Sequence, residues 1–158
     1  MKSFDIKGLE GLPLKLLIVF LLISISTPVV LEGLQSHERT VIVTGLRAEA
    51  EEIRSAAISA YIAGPGNVRS VDVTLPISSR NGQGRIEVGG SVESIESFSI
   101  RYWLGDNLIG TLFLNEPPVR MTSEDGNATI VIGVGAHLKI SCVEGDGDLR
   151  ILVGEDVT

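Results

Sequence analysis

The side chains able to do acid–base or nucleophilic chemistry are few in this chain and widely separated. It has two histidines, His37 and His137, and a single cysteine, Cys142. His137 and Cys142 are five residues apart, so on one strand they point to opposite faces and cannot form a catalytic pair. Standard zinc sites need several cysteine or histidine ligands, which this chain does not supply. The sequence therefore predicts that the protein is not an enzyme and needs no cofactor.

One acidic segment has a spacing that suits calcium. Glu144, Asp146 and Asp148 alternate with glycines, and Glu155 stands at the twelfth position of a calcium loop that begins at Glu144. Carboxylate oxygens at such spacing are typical calcium ligands. The sixth position of these loops is a glycine, however, and here it is Leu149. A solvated hairpin turn is the favoured interpretation, and a calcium loop is the alternative.

Asn127 begins the triplet Asn-Ala-Thr, the acceptor sequence for N-linked glycosylation. The triplet follows Ser-Glu-Asp-Gly, a sequence typical of a turn. The modification requires that this part of the chain lies outside the cell. On that condition, Asn127 is a predicted glycosylation site.

An uncharged apolar run, LLIVFLLISISTPVVL, occupies residues 16–31 near the N-terminus. Neighbouring leucines extend it to residues 12–34, which meets the roughly 20 residues that a membrane-spanning helix needs. Lys2, Lys7 and Lys15 precede the run, and this bias predicts a cytoplasmic N-terminus and an extracellular C-terminal domain. A cleaved signal peptide is the less favoured alternative, because the run is longer than the usual apolar region of about 7–15 residues. The side chains expected to contact lipid or other helices are Leu16, Leu17, Ile18, Phe20, Leu21 and Leu22.

The net charge of −7 resides mainly in the part of the chain that follows this run. An acidic domain repels phosphate backbones and anionic headgroups. The composition therefore argues against nucleic acid as a partner.

Residues 46–62 have the periodicity of an amphipathic helix, and Gly64-Pro65-Gly66 predicts its end. The segment between the apolar run and this helix is less clear, because Val-Ile-Val-Thr at 41–44 favours a strand locally while a continuous helix remains possible. The predicted apolar stripe consists of Leu46, Ala50, Ile53, Ala57 and Ala60.

After Gly66 the apolar residues alternate with polar ones, as in strands. Turn sequences rich in glycine, asparagine, aspartate and proline separate most of the candidates. The predicted strands cover residues 71–75, 85–88, 98–103, 108–114, 119–122, 129–134, 137–143 and 149–153. The predicted fold is mainly β with an N-terminal helix: a single transmembrane helix, a short amphipathic helix, then an antiparallel β-sandwich or barrel-like sheet. The predicted regions are a basic tip and possible leader at 1–11, an anchor at 12–34, a linker and amphipathic helix at 35–64, and an extracytoplasmic β domain at 65–158.

The short basic tip, Lys7-Gly8 and a retained apolar helix are similar to the class III signal segment of archaeal type IV pilins. The helix that runs into AGPGNVRSVDVTLP (63–76) also resembles archaeal membrane-anchored pilin-like and archaellum-accessory proteins. The resemblance covers about the first 76 residues. It implies cleavage after Gly8, an apolar helix that becomes the core of a filament, and a small extracellular β-sandwich.

Two functions are therefore expected. The first is a structural membrane-anchored surface protein, either a pilin-like subunit or an accessory of an archaeal surface appendage. Its partners would be membrane lipid, further copies of itself, or other pilin-like or envelope proteins. The alternative is a single-pass, membrane-tethered extracellular module that binds a protein, a glycan or an ion.

Overall fold

The chain begins with one long helix, α1 (Lys7–Ala63). The computed structural model describes residues 7–76, 82–132, 134–145 and 147–155. Val-Ile-Val-Thr at 41–44 lies inside α1, so the expected separation into an anchor helix and a second short helix is wrong. The strand preference of β-branched residues is a weak effect that packing overrides. Here Ile42 is buried in the core, and the Thr44 hydroxyl donates to the carbonyl of Thr40 at 2.8 Å.

The predicted end of the helix is confirmed. Gly64 follows the last helical residue with φ of 87°, a left-handed conformation that favours glycine. The Asn67 carboxamide donates to the carbonyl oxygens of Ala63 at 2.8 Å and of Gly64 at 3.1 Å. These bonds satisfy carbonyl groups that the end of a helix leaves without a helical donor.

Eight strands lie in the described ranges, and they match the eight predicted segments. They are β1 (Val68–Thr74), β2 (Gly84–Val88), β3 (Ser99–Leu104), β4 (Asn107–Phe113), β5 (Arg120–Thr122), β6 (Thr129–Ile132), β7 (Val134–Gly145) and β8 (Asp148–Glu155). A short 3₁₀ turn (Ile95–Phe98) precedes β3.

The strands form two four-stranded sheets, ordered β1-β7-β8-β5 and β4-β3-β2-β6. The predicted sandwich is confirmed, whereas a barrel-like sheet is wrong because the two sheets do not close on each other. The expected antiparallel pairing is wrong at one place: β5 pairs with β8 in parallel, with Met121 opposite Ile151. The strands before and after β5 belong to the other sheet, so its partner β8 lies far away in the sequence and local turn sequences do not specify the direction of the pairing.

The second half of α1 belongs to the same hydrophobic core as both sheets. The chain divides into two compact units between Arg39 and Thr40, so this half of the helix lies in the unit that contains the strands. The predicted stripe is confirmed, because Leu46, Ala50, Ile53, Ala57 and Ala60 all have 0% exposure. A Cβ built on Gly84 in β2 would lie 2.8 Å from the Leu46 side chain, which shows how closely helix and strand approach. The second half of α1 therefore contributes one apolar face to the core of the β domain.

Candidate functional site

The first half of α1 presents apolar side chains on its surface. The six residues predicted to contact lipid or other helices, Leu16, Leu17, Ile18, Phe20, Leu21 and Leu22, expose between 49% and 70% of their surface. Such exposure of large apolar side chains is costly in water. This one helix is long and apolar enough to cross a membrane.

Two hydroxyl groups in this half of the helix have partners within the helix itself. Ser26 and Thr27 each donate to the carbonyl four residues earlier, of Leu22 and Ile23, at 2.7 Å. In a lipid environment, polar groups need such internal partners. Pro28 also lies in the helix and has no N–H to donate. These two hydroxyls therefore need no second helix to satisfy them.

Gly8, the predicted processing residue, lies next to the first residue of α1. Cleavage after Gly8 stays a prediction.

The residues of the possible calcium loop are distributed along a hairpin. Glu144 pairs with Leu149 beside the turn that joins β7 to β8, and Asp148 begins β8. Glu155 lies at the other end of β8, roughly 23 Å from Asp148 at the usual rise per strand residue. Asp146 lies outside the described residues. Glu155 thus lies far from Glu144 and Asp148, so these three carboxylates do not form one loop. The hairpin favoured by the sequence is present.

The described residues contain no cluster of side chains suited to bind a metal ion. No set of three or more histidine, cysteine, aspartate or glutamate side chains there could hold a metal ion.

Cys142 and His137 lie on opposite faces of β7, as their spacing predicts. Cys142 has 0% exposure, and burial raises the pKa of its thiol. Since the thiolate is the reactive form, the raised pKa and the burial of Cys142 both disfavour a nucleophilic role for this thiol. His137 lies on the outer face, where its Nδ1 contacts a carboxylate oxygen of Asp72 directly opposite on β1. Sequence reasoning missed this pair because Asp72 is 65 residues away.

A polar groove of about 670 Å³ lies on the outer face of the β1-β7-β8-β5 sheet, and we call it the outer groove. Its floor contains two cross-strand pairs of β7 and β8, Lys139 with Gly154 and Ser141 with Leu152. A Cβ built on Gly154 would meet nothing within 4 Å, so the floor is open at this point. The side wall is the turn between β5 and β6, which contributes Ser123, Glu124, Asp125, Asn127 and Ala128.

Two hydrogen bonds between Ser123 and Asn127 hold this turn in place. The Ser123 N–H donates to the Asn127 carbonyl at 2.9 Å, and the Asn127 N–H donates to the Ser123 hydroxyl at 3.2 Å. The Asn127 side chain is exposed. The structure therefore places the predicted glycosylation site on the wall of the outer groove. The sequence indicated the turn and the acceptor triplet, but it contained no sign of the groove, because the floor comes from strands later in the chain.

The outer face of the other sheet carries a row of ion pairs. Glu87 in β2 contacts Arg85 at 3.2 Å and Arg101 at 3.5 Å, and Arg101 also contacts Glu96 at 2.9 Å. The Arg85 guanidinium lies 4.8 Å from the centre of the Trp103 ring. Individual ion pairs near the surface contribute little to stability, about 0–1 kcal/mol each.

The described structure thus combines three features: an apolar helix able to cross a membrane, a β-sandwich whose core includes the second half of that helix, and a polar outer groove. In the comparisons with known proteins, no family model, no curated protein and no solved structure matches the chain. Its function therefore has to be inferred from these three features.

Proposed function

We propose that this protein is a structural, membrane-anchored surface protein of the pilin-like class, a subunit or accessory of an archaeal surface appendage. The observation that carries the proposal is that the two halves of α1 have different surroundings. Its first half exposes large apolar side chains, while one face of its second half is buried against the sheets of the β domain. A subunit that is held in a membrane or filament by one helix needs that helix joined firmly to the domain it displays.

The physical reason for this join is the burial of the stripe. Leu46 and Ile53 have 0% exposure, and the Glu49 carboxylate accepts a hydrogen bond from the Thr74 N–H in β1 at 3.2 Å. Pulling the helix out of the domain would expose the apolar residues of both sheets to water. The buried stripe would thus hold the second half of α1 to the β domain.

The lysines that precede the apolar run favour a cytoplasmic N-terminus and an extracellular β domain. In the membrane, residues such as Phe20 and Leu21 would pack against lipid, against further copies of the chain, or against other pilin-like and envelope proteins. The resemblance of residues 1–76 to archaeal pilin-like proteins supports the same class.

The mass of the intact protein extracted from membranes tests the pilin route. Loss of residues 1–8 is the expected result, and Gly8→Val should prevent it, whereas Gly11→Val serves as the matched control and should not. A chain that keeps its N-terminus contradicts processing of the pilin type. Negative-stain microscopy of the same material should show filaments or larger assemblies.

The alternative function is a membrane-tethered extracellular module that binds a ligand, and the outer groove favours it. The groove has a volume of about 670 Å³ and is lined mainly by polar residues, which suits a polar ligand rather than an apolar one. Single particles with an uncleaved N-terminus would support this alternative over the pilin-like subunit. In both cases protease added to intact cells should digest the β domain, and resistance of the domain would contradict both.

A further inference from the structure

We infer that Asn127 carries an N-linked glycan whose first sugars lie in the outer groove. This inference rests on the proposed extracellular position of the β domain. It joins two independent observations: the acceptor triplet Asn-Ala-Thr in the sequence, and the place of Asn127 on the wall of the groove.

The turn is suited to carry the modification. The bonds between Ser123 and Asn127 use backbone atoms of Asn127, so a sugar on its carboxamide leaves them intact. The side chain is exposed, as a transferase requires. In the reaction, the carboxamide nitrogen attacks the anomeric carbon of a sugar that is linked through phosphate to a lipid carrier. The N–C bond forms, the bond from the anomeric carbon to the phosphate oxygen breaks, the phosphorylated lipid leaves, and the carboxamide loses one proton. A membrane-bound glycosyltransferase would catalyse this step on the extracellular side.

The groove is suited to hold sugars. Its lining residues include Lys139, Ser141 and Glu155, whose side chains offer an ammonium donor, a hydroxyl and a carboxylate acceptor of the kinds that bind sugar hydroxyls. Gly154 adds open floor on which a sugar ring can lie. Since the glycan is attached at the wall, even weak contacts with the floor are effective, because the sugars stay at high local concentration.

The first measurement is the intact mass of the full chain purified from membranes of the organism that encodes it. We expect a mass above that of the polypeptide by whole sugar residues. Asn127→Gln and Thr129→Val should each remove this excess, because both destroy the triplet, whereas Thr129→Ser keeps it. Asn107→Gln is the matched control, since Asn107 is also exposed but begins no triplet.

The second measurement tests whether the sugars occupy the groove. Lys139 is the only lysine in residues 40–158, so it is a specific reporter for amine labelling of the β domain. We expect Lys139 to react several-fold more slowly in the native glycosylated protein than in Asn127→Gln, and equally fast once both are unfolded. Equal rates in the folded proteins would show that the sugars do not lie in the groove.

The outcomes separate this inference from the proposed function. If protease digests the β domain on intact cells and the chain carries no sugar, the inference is wrong while the extracellular position stands. If the domain is resistant to protease and carries no sugar, both are wrong. A sugar excess that Thr129→Val does not remove places the glycan elsewhere and also overturns the inference.

Discussion

Ile53→Ala should destabilise the β domain strongly, although Ile53 belongs to the helix and not to a strand. Ile53 has 0% exposure in the core that α1 shares with both sheets. The matched control is Ile62→Ala, the same substitution nine residues later in the same helix at a position that is 73% exposed. The two variants differ in burial, while their change in helix propensity is the same.

The size of the effect follows from the atoms removed. Replacing isoleucine by alanine deletes three carbons, which at about 0.8 kcal/mol each amounts to about 2.4 kcal/mol. The cavity left behind adds to this loss, and measured costs for such substitutions are about 2–5 kcal/mol. Alanine is the better helix former, but by less than about 0.7 kcal/mol. We therefore expect Ile53→Ala to lower the free energy of unfolding by about 2–4 kcal/mol, and Ile62→Ala to change it by no more than about 0.5 kcal/mol.

Urea unfolding of the full chain in mild detergent, followed by fluorescence, measures this difference. Trp103 in β3 is the only tryptophan, so the signal reports on the β domain. With a typical urea dependence of about 1–3 kcal/mol per molar, the midpoint for Ile53→Ala should fall by roughly 0.7–4 M. Equal midpoints for the two variants would refute the conclusion that α1 is part of the core.

Three further predictions concern the turn glycines, the buried thiol and the anchor. Gly89→Ala should lower Tm more than Gly126→Ala does. Both glycines have positive φ, of 71° and 79°, but only at Gly89 would an added Cβ collide with the backbone of Met121. Equal shifts in Tm would contradict this. Cys142 should resist iodoacetamide at neutral pH until the domain unfolds, because burial raises the pKa of its thiol. Since this raised pKa favours the protonated form in the folded state, Cys142 should also contribute a loss of stability as pH rises above the ordinary thiol value of about 8.5, and Cys142→Ala should remove that contribution; identical pH profiles would contradict the assignment. Leu21→Arg should move the protein out of the membrane fraction, at an insertion cost of about 2.5–3.5 kcal/mol, whereas Leu21→Ala should not; an unchanged distribution of Leu21→Arg would argue against the anchor.

The elements of this fold could be read from local patterns. Alternation located all eight strands, and spacings of three and four residues located the buried stripe that includes Leu46 and Ile53. Gly64 marked the end of the helix because few other residues adopt its backbone conformation easily. The segment at 41–44 misled because its β-branched residues favour a strand by less than the burial of Ile42 favours the helix.

The candidate site was only partly predictable. The acceptor triplet at Asn127 and the apolar run are contiguous in sequence, so they could be recognised directly. The outer groove could not, because Lys139 and Gly154 in its floor become neighbours of the turn at Ser123 only after β5 and β8 pair in parallel. The contact between Asp72 and His137 depends in the same way on the register between β1 and β7.

The sequence by itself determined what each segment of this protein is: an apolar helix, a buried stripe, a series of strands, and the turns between them. These properties depend on interactions within a few residues and on the contrast between apolar and polar side chains. Only the tertiary structure decided that α1 is continuous, that one face of its second half packs into the core of the sheets, and which strands share a sheet. Those choices depend on the free energy of burying residues that are far apart in the chain, such as Leu46 against Gly84. A local sequence pattern contains no information about such contacts.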